Sequence, residues 1–209
     1  MLRRLLVVGL AWVCLGAPAA ARAATVSIFY YPWYGTPAHD GGWDHGNNRS
    51  APATMRLLAG TSYVGFAAAG QFAGIYTYDF VTYGPVFFIR FCQEAHAAHL
   101  VCAPSVGPGY GGTRAGEPPT GRPRRYGATY DALWSAALAA SPDVVSITSF
   151  NEWGEGTQIE PAVARPGYAS YVGSWGLYGP AAQTAYLERT AYWTGQAHGG
   201  PALHSKRSS

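Results

Sequence analysis

The chain has 209 residues, 48% of them hydrophobic and only 12% charged, with a net charge of +3. That length and apolar content suit one domain with a sizeable core. The weak positive balance, much of it gathered in the Pro/Gly-rich stretch RAGEPPTGRPRR at 114–125, argues against a nucleic-acid binder, which would present a broader basic face. The anomaly is aromatic content, at 14% with 15 Tyr and 7 Trp.

Residues 1–23 read as a signal peptide: Arg3 and Arg4 precede the short apolar run LLVVGLAWVCLG, and Ala21, Arg22 and Ala23 form an A-x-A cleavage site. The run is shorter than the roughly 20 residues a membrane span needs, and no later run is longer, so an exported product without a membrane anchor is expected. Taking those 23 residues from 209 leaves 186.

TVSIFYYPWYG at 25–35 is a β-branched and aromatic run closed by glycine, a strand with a loop at its end. HDGGWDHGNNRSAPAT is loop, and residues 55–70 are Ala/Gly-rich and indistinct. FAGIYTYDF at 72–80 predicts a second strand, GPVFFIRFCQEAHAAH a helix, and LVCAPSVGPGY at 100–110 a third strand running into a turn. A helix is expected over 129–140, with Pro142 beyond it, then a fourth strand in VVSITSF and an amphipathic helix in QTAYLERTAYWTGQA. The domain is expected to span 24–197, followed by a disordered tail at 198–209.

Cys92 and Cys102, ten positions apart on the expected helix and strand, fit a disulfide in an oxidising compartment. They fit equally as small buried hydrophobes, and that is the expectation here. The six histidines have no compact ligand spacing, so no metal or other cofactor is expected, and His96 and His99 are placed on a solvated helix face.

Alternating strands and helices are the pattern of parallel βα units. Each expected strand ends in a polar or aromatic cluster: YYPWYG, YTYDF, PSVGPGY and NEWGEG. Parallel strands bring such ends to one face, where a βα barrel carries its active site. A pocket of Tyr30, Tyr31, Trp33, Tyr34, Tyr76, Tyr78, Tyr110 and Trp153 offers flat rings for the C–H patches of sugars and phenols for their hydroxyls. Strand alternation sends only every second of these side chains to one side. The last cluster lies in SITSFNEWGEGTQIEPA at 146–162, which holds Glu152, Glu155 and Glu160 in an acid-poor chain.

YYPWYG, GIYTYDF, APSVGPGY and above all ITSFNEWGEGTQIEPA resemble glycoside hydrolase family 99, the retaining endo-α-1,2-mannosidases and mannanases. The resemblance implies an α/β fold of the (β/α)8 barrel type and an α-mannan or other mannose-containing glycan as substrate. The family motif NEWHEG reads Asn151-Glu152-Trp153-Gly154-Glu155-Gly156 here. By position, Glu155 resembles the general acid/base, and Glu152 the base that takes a proton from the sugar's own 2-hydroxyl to form a 1,2-anhydro intermediate. Tyr31, Trp33, Tyr34, His45, Tyr78, Tyr110, Asn151 and Trp153 are the matching candidates for substrate binding, with Asp79 available to orient a loop and Glu160 to pair locally.

Two departures stand out. Gly154 replaces a histidine and Ala73 an aspartate that are common in the family. Only residues 36–71 separate YYPWYG from FAGIYTYDF, where the family carries several βα units, so an incomplete barrel lacking central units is expected. The alternative is a catalytically inactive fragment that keeps a carbohydrate-binding aromatic cleft.

Overall fold

The computed structural model describes residues 25–28, 57–112 and 121–199, the first of these as backbone. Candidates Tyr31, Trp33, Tyr34 and His45 lie outside the described residues, as do the leader at 1–23 and residues 200–209.

The strands are β1 (Thr25–Ile28), β2 (Leu58–Gly60), β3 (Gly74–Tyr76), β4 (Val101–Ala103), β5 (Ser105–Val106), β6 (Tyr110–Gly111), β7 (Gly121–Arg122) and β8 (Val144–Ile147). Between them lie helices α1 (Val64–Ala69), α2 (Pro85–Ala97) and α3 (Ala128–Ala139), followed by α4 (Gly179–Gln183) and α5 (Ala185–Ala197). β3 pairs in parallel with both β2 and β4, and β8 in parallel with both β5 and β1. Only Pro104 separates β4 from β5, and the bonds Asp143 N–H to Cys102 O and Ser146 N–H to Pro104 O carry β8 along both. The described strands therefore run β2, β3, β4/β5, β8, β1, all parallel, with β6 and β7 as a separate antiparallel hairpin.

Register explains how the layers are filled. Ile75 faces across to Cys102, and Val106 to Ile147, on the side covered by α2 and α3; these residues and Val145 are buried. On the other face Ser105 pairs with Ser146, and their hydroxyls hydrogen-bond to each other. α2 begins with Pro85 at its first turn, where proline's fixed φ and missing N–H cost nothing. Phe88, Phe91, Cys92 and Ala95 form its buried stripe at helical spacing, while Val86 and Ile89 face solvent. Thr129, Tyr130, Leu133, Trp134 and Ala137 do the same for α3.

Cys92 and Cys102 form a disulfide with Cα atoms 5.1 Å apart, linking α2 to β4, which corrects their reading as independent hydrophobes. Both are fully buried, so packing and covalent bonding coincide; ten residues are just enough to return from the inner face of a helix to the next strand. The indistinct stretch 55–70 contains β2 and α1. The expected second strand shortens to three residues because the chain turns at Tyr78–Phe80, and the third breaks at Pro104, which has no N–H to donate. His96 does sit on the exposed face of α2, where Nε2 meets Asp143 Oδ2 at 2.9 Å.

α3 is tied to α5 by Asp131. Its carboxylate accepts Arg189 Nε at 2.6 Å and Nη2 at 2.8 Å, Trp193 Nε1 at 2.8 Å and Trp175 Nε1 at 2.9 Å. Tyr130 on the same helix meets Thr190 at 2.9 Å, and burial pushes its phenol up to about 12. Asp131→Ala is expected to lower stability by about 2 kcal/mol, since four donors lose one acceptor that is a quarter exposed; urea unfolding measures it.

Candidate active site

Three strand ends meet on one side of the sheet. Beyond β3, Asp79 Oδ1 accepts the N–H groups of Val81 (2.8 Å) and Thr82 (3.0 Å), fixing the turn that follows Tyr78, the loop-orienting role expected of it. Beyond β5, the chain crosses the closely packed Gly107, where a Cβ would stand 2.3 Å from the Phe80 ring, and reaches Tyr110 at the start of the hairpin. Beyond β8, Thr148 Oγ1 donates to Tyr78 O at 3.2 Å, joining two strand ends directly. The Thr148–Ser149 peptide that follows is cis.

From there the acid-rich stretch closes on itself. Ser149 N–H donates to Thr157 O (3.1 Å) and the two hydroxyls lie 2.8 Å apart, while Ile159 and Glu160 N–H both donate to Phe150 O at 2.9 Å. Inside this loop Ser149 Oγ accepts Glu152 N–H (2.9 Å), and Thr157 N–H donates to Glu152 O (3.1 Å). Gly156 supplies the reversal after Glu155 with φ +66°, a conformation that a side chain would strain. Trp153 Nε1–H donates to Glu160 Oε1, so Glu160 pairs locally as expected and Trp153 braces the loop.

A cavity of about 360 Å³ opens among these ends, walled by Tyr78 to Thr82, Tyr110, Thr148 and Glu155. Tyr78 Oη–H donates to Glu155 Oε2 at 3.4 Å across it. A second cavity of about 280 Å³ lies beside it, walled by Tyr110, Arg122, Arg124, Trp153, Gly154 and Tyr168 among others. Trp153 and Tyr168 meet there edge to face at 5.5 Å. Tyr110 belongs to both walls, and the acid loop contributes to each, Glu155 to the first and Trp153, Gly154 and Gly156 to the second.

The structure thus brings together Tyr78, Tyr110 and Glu155 around one cavity, and Tyr110 and Trp153 around the other. Glu152 stands in the same loop, partly exposed, with Oε1 accepting Gly154 N–H at 3.2 Å. Asn151 presents a buried Oδ1 that has no hydrogen-bond partner. Glu152, Asn151 and Tyr76 are not on either wall, and the Tyr76 ring lies against Gly60 of β2. Among the described residues no three His, Cys, Asp or Glu side chains gather as a metal site would require. Thr148, Ser149 and Arg124 were not singled out from the sequence. The two hydroxyls follow from their place directly after β8, a signal that could have been used, whereas nothing near Arg124 in sequence marks it.

The site falls inside a match to the family model for glycosyl hydrolase family 99, which covers residues 56–198. Glycoprotein endo-alpha-1,2-mannosidase of Mus musculus is 41% identical over 134 residues, which is 59% of this chain and 28% of that protein. The glycoprotein endo-alpha-1,2-mannosidase-like protein of Homo sapiens is 40% identical over 154 residues, 66% of this chain and 31% of that one. The chain spans about a third of the length of the curated relatives it matches. Among solved structures, the GH99 endo-alpha-mannosidase of Bacteroides thetaiotaomicron superposes with a TM-score of 0.56 at 36% identity, over 67% of this chain and 43% of that one. With the family model matching well over half of its residues, this α/β chain belongs to glycosyl hydrolase family 99.

Proposed function

We propose that the chain is an exported glycoside hydrolase that cuts α-mannosidic bonds within a mannan or glycan and retains anomeric configuration. The observation carrying this reading is the Glu155 carboxyl group facing a cavity rimmed by tyrosines at the C-terminal ends of parallel strands. Glu155 donates its proton to the departing glycosidic oxygen as the C1–O bond breaks. Glu152 removes the proton from the 2-hydroxyl of the same sugar, and that oxygen closes onto C1 as a 1,2-anhydro ring. Water then attacks C1 and loses its proton to Glu155, while O2 recovers its proton from Glu152. Two inversions at C1 give net retention, by a route other than direct carboxylate attack on carbon. Tyr78 holds the acid/base through its hydrogen bond, and the two neighbouring cavities suit sugar units on either side of the cut bond.

The barrel reading is supported by strand order. Among the described residues β1, the first strand, lies parallel beside β8, the last, as it does where a (β/α)8 barrel closes. Along the described run, β1 and β2 stand at opposite ends, so the units expected to be missing belong between them, in line with the short segment 36–71. Export is supported by the leader-like N-terminus and by a disulfide, which persists in oxidising compartments.

The intermediate is tested with an oligosaccharide in which the α-1,2 bond to be cut follows a mannose that is substituted at another position and keeps its 2-hydroxyl free, and with the analogue lacking that 2-hydroxyl. Cleavage of the parent with an α product as the first anomer in proton NMR, and a rate for the analogue lower by at least about 10³-fold, are expected. An analogue cleaved as fast as its parent, or a β product, would remove Glu152 from the role assigned to it.

A further inference from the structure

Tyr78 meets the carboxyl group of Glu155, the acid/base of the proposed reaction, while the backbone that carries Glu155 is fixed from behind the loop. Carbonyl groups of Gly156, Gln158 and Glu160, alternate residues of the segment after the acid, turn to one side. Arg124 Nη2 donates to Gly156 O at 3.0 Å and to Gln158 O at 2.6 Å. The Tyr171 hydroxyl lies 3.2 Å from Gln158 O and 2.9 Å from Glu160 O. On the remaining side, Gly111 N–H donates to Glu155 O at 2.8 Å. Gly111 and Arg124 both come from the hairpin that delivers Tyr110 to the cavity, Gly111 within β6 and Arg124 two residues past β7.

The guanidinium is itself fixed. Its carbon stands 4.6 Å from the centre of the Tyr186 ring and 5.0 Å from that of Tyr171, both rings buried. Its Nε and Nη1 are buried and make no hydrogen bond, so the group is held by two ring faces and by the two carbonyls. A planar cation stacked on rings has a defined direction for its N–H groups, which a lysine ammonium on a flexible stem lacks. Burying an uncompensated cation is costly, and the residue is then best understood by what it holds.

We infer that Arg124 is the positioning residue of the acid/base: through the carbonyls on either side of Thr157 it sets the loop, and with it the distance of Glu155 from the bond to be cut. The inference rests on the hydrolase reading for its kinetic consequence, while its structural consequence stands alone. Misplacing a reacting group by about 1 Å costs on the order of 100-fold in rate with little effect on ground-state binding.

The test uses the whole chain with Arg124→Lys and Arg124→Met, measuring kcat and KM on α-mannan together with amide hydrogen exchange. The expected result is a kcat lower by about 10-fold in the lysine variant and about 100-fold in the methionine variant, with the change in KM smaller than that in kcat although Arg124 also lines the second cavity. Exchange at the amides of Ser149, Thr157 and Gly111 is expected to quicken by about tenfold while that of α3 is unchanged. A folded Arg124→Lys variant with wild-type kcat, or with its loss confined to KM, would overturn the inference. Should the wild-type chain release no sugar, the hydrolase reading fails and exchange alone decides: local quickening in the lysine variant upholds the role of Arg124, and unchanged protection of those three amides refutes it.

Discussion

Glu155→Gln is expected to lower kcat on α-mannan by about 10³-fold while leaving the melting temperature within a few degrees of the wild type. Glutamine matches the carboxyl group in shape and can still receive the Tyr78 hydrogen bond, so the loop should keep its form. The change removes a proton that must move twice, once to the departing oxygen and once from water. A substrate with an acidic phenol as leaving group needs no proton in the first step, so the deficit in that step should shrink with such a substrate. An equal deficit on mannan and on the activated substrate would place Glu155 outside the acid's role. Retention of a tenth or more of the mannan activity would do the same.

Replacing both Cys92 and Cys102 by alanine is expected to lower stability by about 3 kcal/mol, in line with a cross-link that closes a short loop. For a chain of this size that corresponds to a melting temperature lower by about 10 °C. The bond fastens α2 to β4, and β4 continues into β5, whose far end leads to Tyr110. Because both sulfurs are buried, reductant should act only when the chain unfolds, so urea curves should be collected after long equilibration with and without dithiothreitol. Reductant should shift the wild type to the variant's midpoint and leave the variant where it is. Coincident wild-type curves would mean that the cross-link does not contribute.

The acid-rich loop was legible because a strand end and a tight turn coincide in NEWGEG: the acids follow a strand whose apolar run ends abruptly, and the glycine after Glu155 supplies the reversal. The stripe of α2 was legible for the same kind of reason, a helical period opened by Pro85. β2 and α1 were not, since LAG and VGFAAA are too short and too small in side chain to show a period. β6 and β7 lie in a Gly/Pro-rich stretch whose pairing depends on backbone geometry alone. The Arg124–Tyr171 clamp joins residues 47 positions apart through carbonyls, which carry no side-chain signature. In the same way, a separation of ten positions between two cysteines says nothing about direction, and only the packing of α2 on β4 brings Sγ to Sγ.

The central claim is that this chain, which spans about a third of the length of its relatives, assembles a working cleft around Glu155. The most direct measurement is release of reducing ends by the purified chain from an α-mannan whose residues before the α-1,2 bonds keep a free 2-hydroxyl, with circular dichroism of the same sample and Glu155→Gln beside it. Steady release by a folded chain, absent in the variant, is the predicted result. A folded chain that releases nothing, or a variant that releases as much as the wild type, would contradict it.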